Sequence, residues 1–571
     1  MSNDKGLSGA QKDADKNLSG KPARSVKQPC LISLTVKFIP DQSDLPEVWD
    51  LWIEERPSKS VARFKILTNP ENYNPISYSA QVEGPKGVVR KNLAAYPDSG
   101  PPTRTCLVRW DGTDDGGGYV PIGSYKIRLT AKAEGKESSD ASADMKIIRV
   151  GVVYIRFKNV YPLKFAFKNY PAKYDTDDYD IPAAEWKLST LDDGSKPRVP
   201  PICSTSGRSK DATTYCYPFA AQRNRKLKFR VGTAGENYAG GDKILLKIIK
   251  SGTEENWSDD EANGIGINEE HWFEANDGNK LYHRVSKMTD LRFDFLFEYT
   301  NSKGKAVQLG RQRCSKMVVY IIVSMPTEPW GLGTAPNRQR PWVELLEKIC
   351  SDWAKGAQTV EEAASMIVEA VNHKKLDGTE SLKYDTSTGA DLNSLVTKTG
   401  PFKPVSIRLR AFFTWLAGDP SRPANWNVVN CTCCGALLST IANCVGCSVQ
   451  SSVLAKNDAF SPGFDCHKII SIGDSTWHHP FYNPADTSGG FSYHEVAWTG
   501  GAGLSDNIYD ACLQVATDPV TSPGTGALYV KGMTFATSRP TIDDYRRRLV
   551  VPGDVASVTP RTTMAGRYRA D

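Results

Sequence analysis

Residues Asn430 to Gly446 read N-C-T-C-C-G-A-L-L-S-T-I-A-N-C-V-G. Leu437, Leu438, Ile441, Ala442 and Val445 recur at i, i+1, i+4, i+5 and i+8, which predicts a helix with one apolar face. Gly446 supplies a helix stop. Cys431 falls at the helix N-terminus, where the positive end of the helix dipole favours thiolate over thiol. Downstream, Phe491 to Trp498 reads as a strand carrying His494, and Asn507 to Val515 as a strand carrying Asp510. A cysteine, a histidine and an aspartate in this order suit nucleophilic catalysis.

Working outward, the chain has 571 residues, too many for one core, so several domains are expected. The net charge of +6 arises from 71 basic and 65 acidic residues spread along the chain. That pattern argues against a dedicated nucleic-acid binder, which concentrates its basic residues. No 18-residue apolar run occurs, so no membrane span is expected. Residues 1–29 are rich in Lys, Ser, Asp and Gly and lack the apolar core of a secretory signal, and they read as a disordered lead. The expected location is a cytoplasm, or export without a cleavable signal. The 13 cysteines form no regular framework. Reduced thiols are the default, and Cys203 and Cys216 are either two free thiols or a bridge formed after export.

Residues 30–150 alternate in short β pattern, as in Ile32, Leu34, Val36 and Phe38. Arg109 to Leu129 reads R-W-D-G-T-D-D-G-G-G-Y-V-P-I-G-S-Y-K-I-R-L, a turn followed by the alternating Tyr125, Ile127 and Leu129. This stretch resembles a hairpin of the Ig-like domain of bacterial flagellar hook-capping proteins, which implies a β-sandwich and a bacterial source. Asp111, Asp114 and Asp115 lack the spacing and terminal Glu of a calcium helix-loop-helix and read as turn formers. Residues 151–335 are again strand-like, and Pro326 to Pro341 reads as a linker. Helical periodicity begins with Trp342, Leu345, Leu346, Ile349 and Trp353. A capping box at Thr359 and Glu362 opens a second stripe, and Val405 to Leu416 reads as a third helix. The fold class expected is multidomain: two mainly-β, sandwich-like domains, then an α+β domain over 336–525 and an extension over 526–571.

The C-terminal motifs resemble the transglutaminase-like branch of papain-fold cysteine enzymes. That family places a glycine fifteen residues after its cysteine, as Gly446 lies after Cys431, then a histidine in a strand and an aspartate in the next. The lead-in Leu382-Lys383-Tyr384-Asp385 also looks like that family. The family's aromatic residue two positions after the histidine is absent, since Val496 stands there and Trp498 two further on. The resemblance implies Cys431 as nucleophile, His494 as proton carrier and Asp510 as the group that fixes the imidazole tautomer. The Cys431 N–H would donate to an oxyanion. Trp426 and Trp498 are candidates for the oxyanion or substrate wall, with core packing as the alternative.

The implied activity is acyl transfer from amides of protein or peptide substrates through a thioester. Deamidase, transglutaminase and peptidase outcomes all remain open, and no cofactor is needed. A bacterial effector or toxin, with a secretion machine or an immunity protein as partner, fits the architecture. Two alternatives stand beside it. One is a cell-wall peptide hydrolase. The other is a binding protein whose last domain is degenerate or zinc-stabilised. Cys444-x-x-Cys447 has zinc-knuckle spacing, and Cys466, His467, His478 and His479 lie nearby. Against zinc, Cys431-x-Cys433-Cys434 lacks the usual gap.

Overall fold

The structure is a computed structural model. It describes residues 48–51, 60–66, 76–97, 104–110, 112–118, 120–121, 123–133, 139–167, 179–180, 185–187, 218–236, 243–259, 269–300, 306–313, 317–331, 339–373, 382–385, 395–398, 404–420, 422–466, 469–472, 491–501, 503–515, 541–562 and 567–571. The lead over 1–29, the alternation at 32–38, Cys203, Cys216, His467, His478 and His479 lie outside them.

The molecule is β-rich and multidomain, with several sheets and few helices. In the N-terminal region, strands β1 (Ser60–Ile66), β2 (Ile76–Gly84), β3 (Gly87–Leu93), β4 (Arg104–Trp110), β5 (Gly123–Ala133) and β6 (Ser139–Lys158) surround a core of Val82, Val108, Trp110, Ile127 and Leu129. The alternation of Tyr125, Ile127 and Leu129 puts all three side chains inside. Asp114 Oδ1 accepts from the Gly118 N–H at 2.9 Å, and Asp115 Oδ1 from the Lys91 N–H at 2.9 Å. Both carboxylates therefore serve the turn, as expected of turn formers.

The β6 strand crosses position 150, where a domain boundary was expected. Its first half pairs with β5. Its second half pairs with β9 of the next region, which comprises β7 (Val160–Pro162), β8 (Phe219–Gln222), β9 (Lys228–Glu236), β10 (Lys243–Lys250), β11 (Glu270–Glu274), β12 (Ser286–Leu291), β13 (Phe293–Thr300), β14 (Ala306–Arg313) and β15 (Met317–Ile322). One sheet thus serves both regions, in the order β11-β9-β6-β5-β2-β3. Phe157, Phe229, Trp257, Phe293 and Phe295 fill the second core.

The C-terminal region opens with α1 (Val343–Lys348), extended by a π turn over Ile349–Trp353. Next comes α2 (Val360–His373), capped as expected: the Glu362 N–H donates to Thr359 Oγ1 at 3.1 Å, and Glu362 Oε2 accepts from the Gln358 N–H at 2.7 Å. The third expected helix is shorter. Val405 to Ile407 belong to a strand, β17 (Pro404–Ile407), which follows β16 (Lys383–Tyr384) and precedes α3 (Leu409–Leu416). Then follow β18 (Val428–Val429), α4 (Cys431–Cys444), β19 (Gln450–Ala455), β20 (His494–Trp498), β21 (Ile508–Tyr509), α5 (Ile542–Leu549), β22 (Thr559–Pro560) and β23 (Arg569–Ala570). The site sheet runs β21-β20-β19-β22.

The α4 helix differs from the expected one-faced helix. Every residue from Cys431 to Cys444 is buried, so α4 is the central rod of its domain. Gly446 does end it, at φ +90°. The described residues 326–331 of the segment read as a linker are docked on α4: the Thr327 N–H donates to Asn443 O at 3.0 Å and Trp330 Nε1–H to Thr440 O at 2.7 Å. Tyr161, Leu163, Tyr320, Ile322 and Trp330 share one continuous core with α4. So do Ile542, Tyr545, Leu549 and Tyr568, which places the described part of the C-terminal extension inside this domain.

Candidate active site

Asn430 caps α4 in extended conformation, and its side chain accepts from the Cys433 N–H at 3.0 Å. Cys431 is thus the first helical residue, and Cys433 and Cys434 lie inside the first turn. The Cys431 N–H belongs to the turn whose donors have no acceptor within the helix. Cys431 is 5% exposed.

The antiparallel pairing of β20 with β19 and β21 fixes where the other two residues meet. Asp510 follows β21 directly, and His494 opens β20. His494 Nε2 lies 2.8 Å from Asp510 Oδ2, with both side chains fully enclosed. The other ring nitrogen, Nδ1, is buried without a hydrogen bond of normal geometry. It is the nitrogen left to serve Cys431, whose side chain is close enough to hold the imidazolium proton more tightly. Burial alone would push the imidazole pKa down; the charge and hydrogen bond of Asp510, then Cys431, outweigh it and raise it to about 10. The three expected residues therefore come together.

Asp510 is held from four directions. Oδ1 accepts from the N–H groups of Cys512 at 2.6 Å and Leu513 at 3.3 Å. Oδ2 accepts from the Tyr545 hydroxyl at 2.5 Å as well as facing His494. The Tyr545 ring stacks parallel to the imidazole at 6.4 Å between centroids, and Phe491 lies at 4.9 Å. Burial raises the Tyr545 hydroxyl well above its ordinary pKa, and the Asp510 charge adds to that, so it stays a donor. Tyr384 and Tyr493, also raised chiefly by burial, feel the charge of Cys431. Tyr384 belongs to the lead-in stretch, brought beside the helix by the parallel pairing of β16 with β18.

The two tryptophans are placed differently. Trp426 is a core residue, packed on Phe412 at 6.2 Å with the Arg422 guanidinium over its ring. Trp498 is buried at the far end of β20, four residues and roughly 13 Å along the strand from His494. The site is thus walled by tyrosines. Tyr545 was missed, although Thr541 and Asp544 give a local signal for its helix: the Asp544 N–H donates to Thr541 Oγ1 at 3.1 Å. Nothing local says that this helix returns to Asp510.

Among the described residues, no three His, Cys, Asp or Glu side chains are grouped to hold a metal ion. Cys444 and Cys447 are buried neutral thiols whose pKa burial raises, and Cys447 Sγ donates to Val360 O at 3.5 Å.

No family model matches the sequence, and no curated protein matches it. Solved structures share only faint likeness. Dimeric latent PorU from Porphyromonas gingivalis is 9% identical over 52% of this chain and 20% of that chain, with a TM-score of 0.14. This chain therefore spans about a fifth of the length of PorU. The N-terminal Ig1-2 module of the Drosophila receptor protein tyrosine phosphatase DLAR is 8% identical, over 46% of this chain and 90% of that one, at 0.11. The C-terminal domain of the Streptococcus agalactiae AgI/II polypeptide BspA is 7% identical, over 51% of this chain and the whole of that one, at 0.15. TM-scores of this size establish no shared fold. No helix among the described residues is long and apolar enough to cross a membrane.

Proposed function

We propose that the C-terminal domain is a cysteine-dependent acyl-transfer enzyme acting on amides of protein or peptide substrates. The observation that carries this reading is the buried His494–Asp510 pair at 2.8 Å, with the free ring nitrogen available to a thiol at a helix N-terminus. A high imidazole pKa keeps His494 protonated near neutrality, and an imidazolium beside Cys431 favours the thiolate.

The chemistry follows from these positions. The Cys431 thiolate attacks the amide carbonyl carbon, forming a C–S bond and a tetrahedral oxyanion that the Cys431 N–H can receive. His494 gives its proton to the leaving nitrogen, the C–N bond breaks, and ammonia or an amine departs. A thioester remains. Neutral His494 then takes a proton from water or from an incoming amine as it attacks. The C–S bond breaks, and a carboxylate or a new amide leaves. Asp510 holds the ring orientation throughout.

The test is incubation of the full chain with benzyloxycarbonyl-glutaminyl-glycine, with and without hydroxylamine, read by mass and by ammonia release. Ammonia with a gain of about one mass unit means deamidation, and a hydroxamate means a trapped thioester. A peptide library cleaved at backbone bonds would redirect the reading to a peptidase. Turnover that survives Cys431→Ala removes Cys431 as nucleophile.

A further inference from the structure

Glu495 follows His494 in β20 and is a buried carboxylate, 2% exposed. Its Oε2 accepts from the Thr432 hydroxyl at 2.8 Å. Its Oε1 accepts from Ser451 at 2.9 Å and from Tyr568 at 2.6 Å. Thr432 is the neighbour of Cys431 in the first turn of α4, Ser451 lies on β19, and Tyr568 immediately precedes β23. Gly435, one turn along α4, lets the helix press onto this group: a Cβ there would stand 2.9 Å from Ser451 Oγ and 3.3 Å from Glu495 Cγ.

A carboxylate is a costly group to bury, and apolar packing would hold a helix on a sheet at least as firmly. What a carboxylate adds is direction. Here it joins two pairs of adjacent residues, Cys431-Thr432 and His494-Glu495. A hydrogen bond between the second members restricts how the first members can move relative to each other. The negative charge also sits at the positive end of α4, where it is favoured.

We propose that Glu495 is a positioning residue that, through Thr432, sets the placement of the Cys431 thiol against His494. This rests on the reading of Cys431 and His494 as nucleophile and proton carrier. Tyr493 also approaches Thr432, with 3.5 Å between their hydroxyl oxygens, and Tyr568 and Cys433 face the carboxylate region. Asp510, Tyr545 and Cys512 face the site from the other side.

The test is the pH dependence of Cys431 alkylation by iodoacetamide in the full chain, followed by the mass of the Cys431 peptide, with Cys431→Ala as blank. Thermal unfolding is read in parallel. Wild type is expected to be alkylated at Cys431 at pH 6, with a rate that rises along a single pH limb. Thr432→Val, which keeps the shape but removes the donor, should move that limb up by about one pH unit, a loss of about tenfold at pH 6. Thr432→Ser should restore the rate to within about twofold. Should Thr432→Val fail to fold, Thr432→Ala, which also removes the donor and leaves the charge of Glu495 unchanged, replaces it, with the same shift expected. A wild-type limb that these variants leave in place, with only the Tm lowered, overturns the positioning role alone, as does failure of serine to rescue. A wild type with no such limb overturns the reading of Cys431 and this proposal with it.

Discussion

Tyr545 donates to the same Asp510 oxygen, Oδ2, that faces His494 Nε2, so one carboxylate oxygen couples α5 to the imidazole. Removing the hydroxyl leaves Asp510 held by His494 and two N–H groups, so the aspartate stays bound but can rotate. Tyr545→Phe is expected to cost ~1.5–3 kcal/mol, the range for a hydrogen bond to a charged group. Cys431 alkylation should slow about tenfold near neutrality through a less well-oriented imidazole. Asp510→Asn should do more, because an amide can stabilise the wrong tautomer. Denaturant unfolding and the alkylation rate check both.

His494 gives a signed pH dependence. Its folded pKa is raised to about 10 from an ordinary 6.5. The protonated form is therefore held more tightly in the folded state. Its contribution is fully present below about pH 6.5 and is lost as pH rises through about 10. Above about pH 9 the unfolded chain also ionises thiols and tyrosines that the fold keeps neutral, which lowers stability further in the same direction. The two are separable in a Cys431→Ala background, where no thiolate can offset the imidazolium proton: there His494→Gln should flatten the unfolding free energy between about pH 6.5 and 9 and leave the steeper alkaline fall. A Cys431→Ala stability that rises over that interval would contradict the assignment.

Local sequence carries part of the geometry of the candidate site. Cys431, His494 and Asp510 were legible because a helix start, a strand and a turn each leave a short-range pattern, and Gly446 marks a positive φ. The capping box at Thr359 was legible for the same reason. Three features were not. Strand β6 reads as two strands because its halves serve different neighbours, and only pairing joins them at position 150. The stretch after Val405 has apolar content fitting helix or strand, and pairing with β23 decides for strand up to Ile407. Tyr545 and Glu495 take their meaning from partners 35 and 63 positions away. No window of sequence contains such contacts, whereas tryptophans such as Trp426 attract functional readings although their bulk alone explains burial.

Gly435 sets two effects against each other. Alanine would gain ~1 kcal/mol of helix propensity over glycine. Against this, its Cβ would stand 2.9 Å from Ser451 Oγ, an atom committed to Glu495. The hydroxyl must move, and a buried hydrogen bond to a charged group worth ~1.5–3 kcal/mol is strained or lost. Net destabilisation of about 1 kcal/mol is expected for Gly435→Ala. Ser451→Ala in the same background should remove the clash, so the two changes should be non-additive in a double-mutant cycle.

At Gly446 the two penalties add. Its φ of +90° disfavours any side chain, and a Cβ would lie 2.5 Å from both the carbonyl carbon and oxygen of Ser324 and 2.6 Å from Met325 O. These are backbone atoms and cannot turn aside. The Ser324 N–H also donates to Val445 O at 3.2 Å, so relief requires the docked strap to leave the helix end. Gly446→Ala is expected to cost ~3 kcal/mol or more, of which ~1 kcal/mol is conformational. Because Trp330 donates to Thr440 O on the same helix, loosening the strap should also expose Trp330. Tryptophan fluorescence during urea unfolding checks this: Gly446→Ala should lower the midpoint and redshift the folded baseline, and an unchanged baseline would show that the strap stays seated.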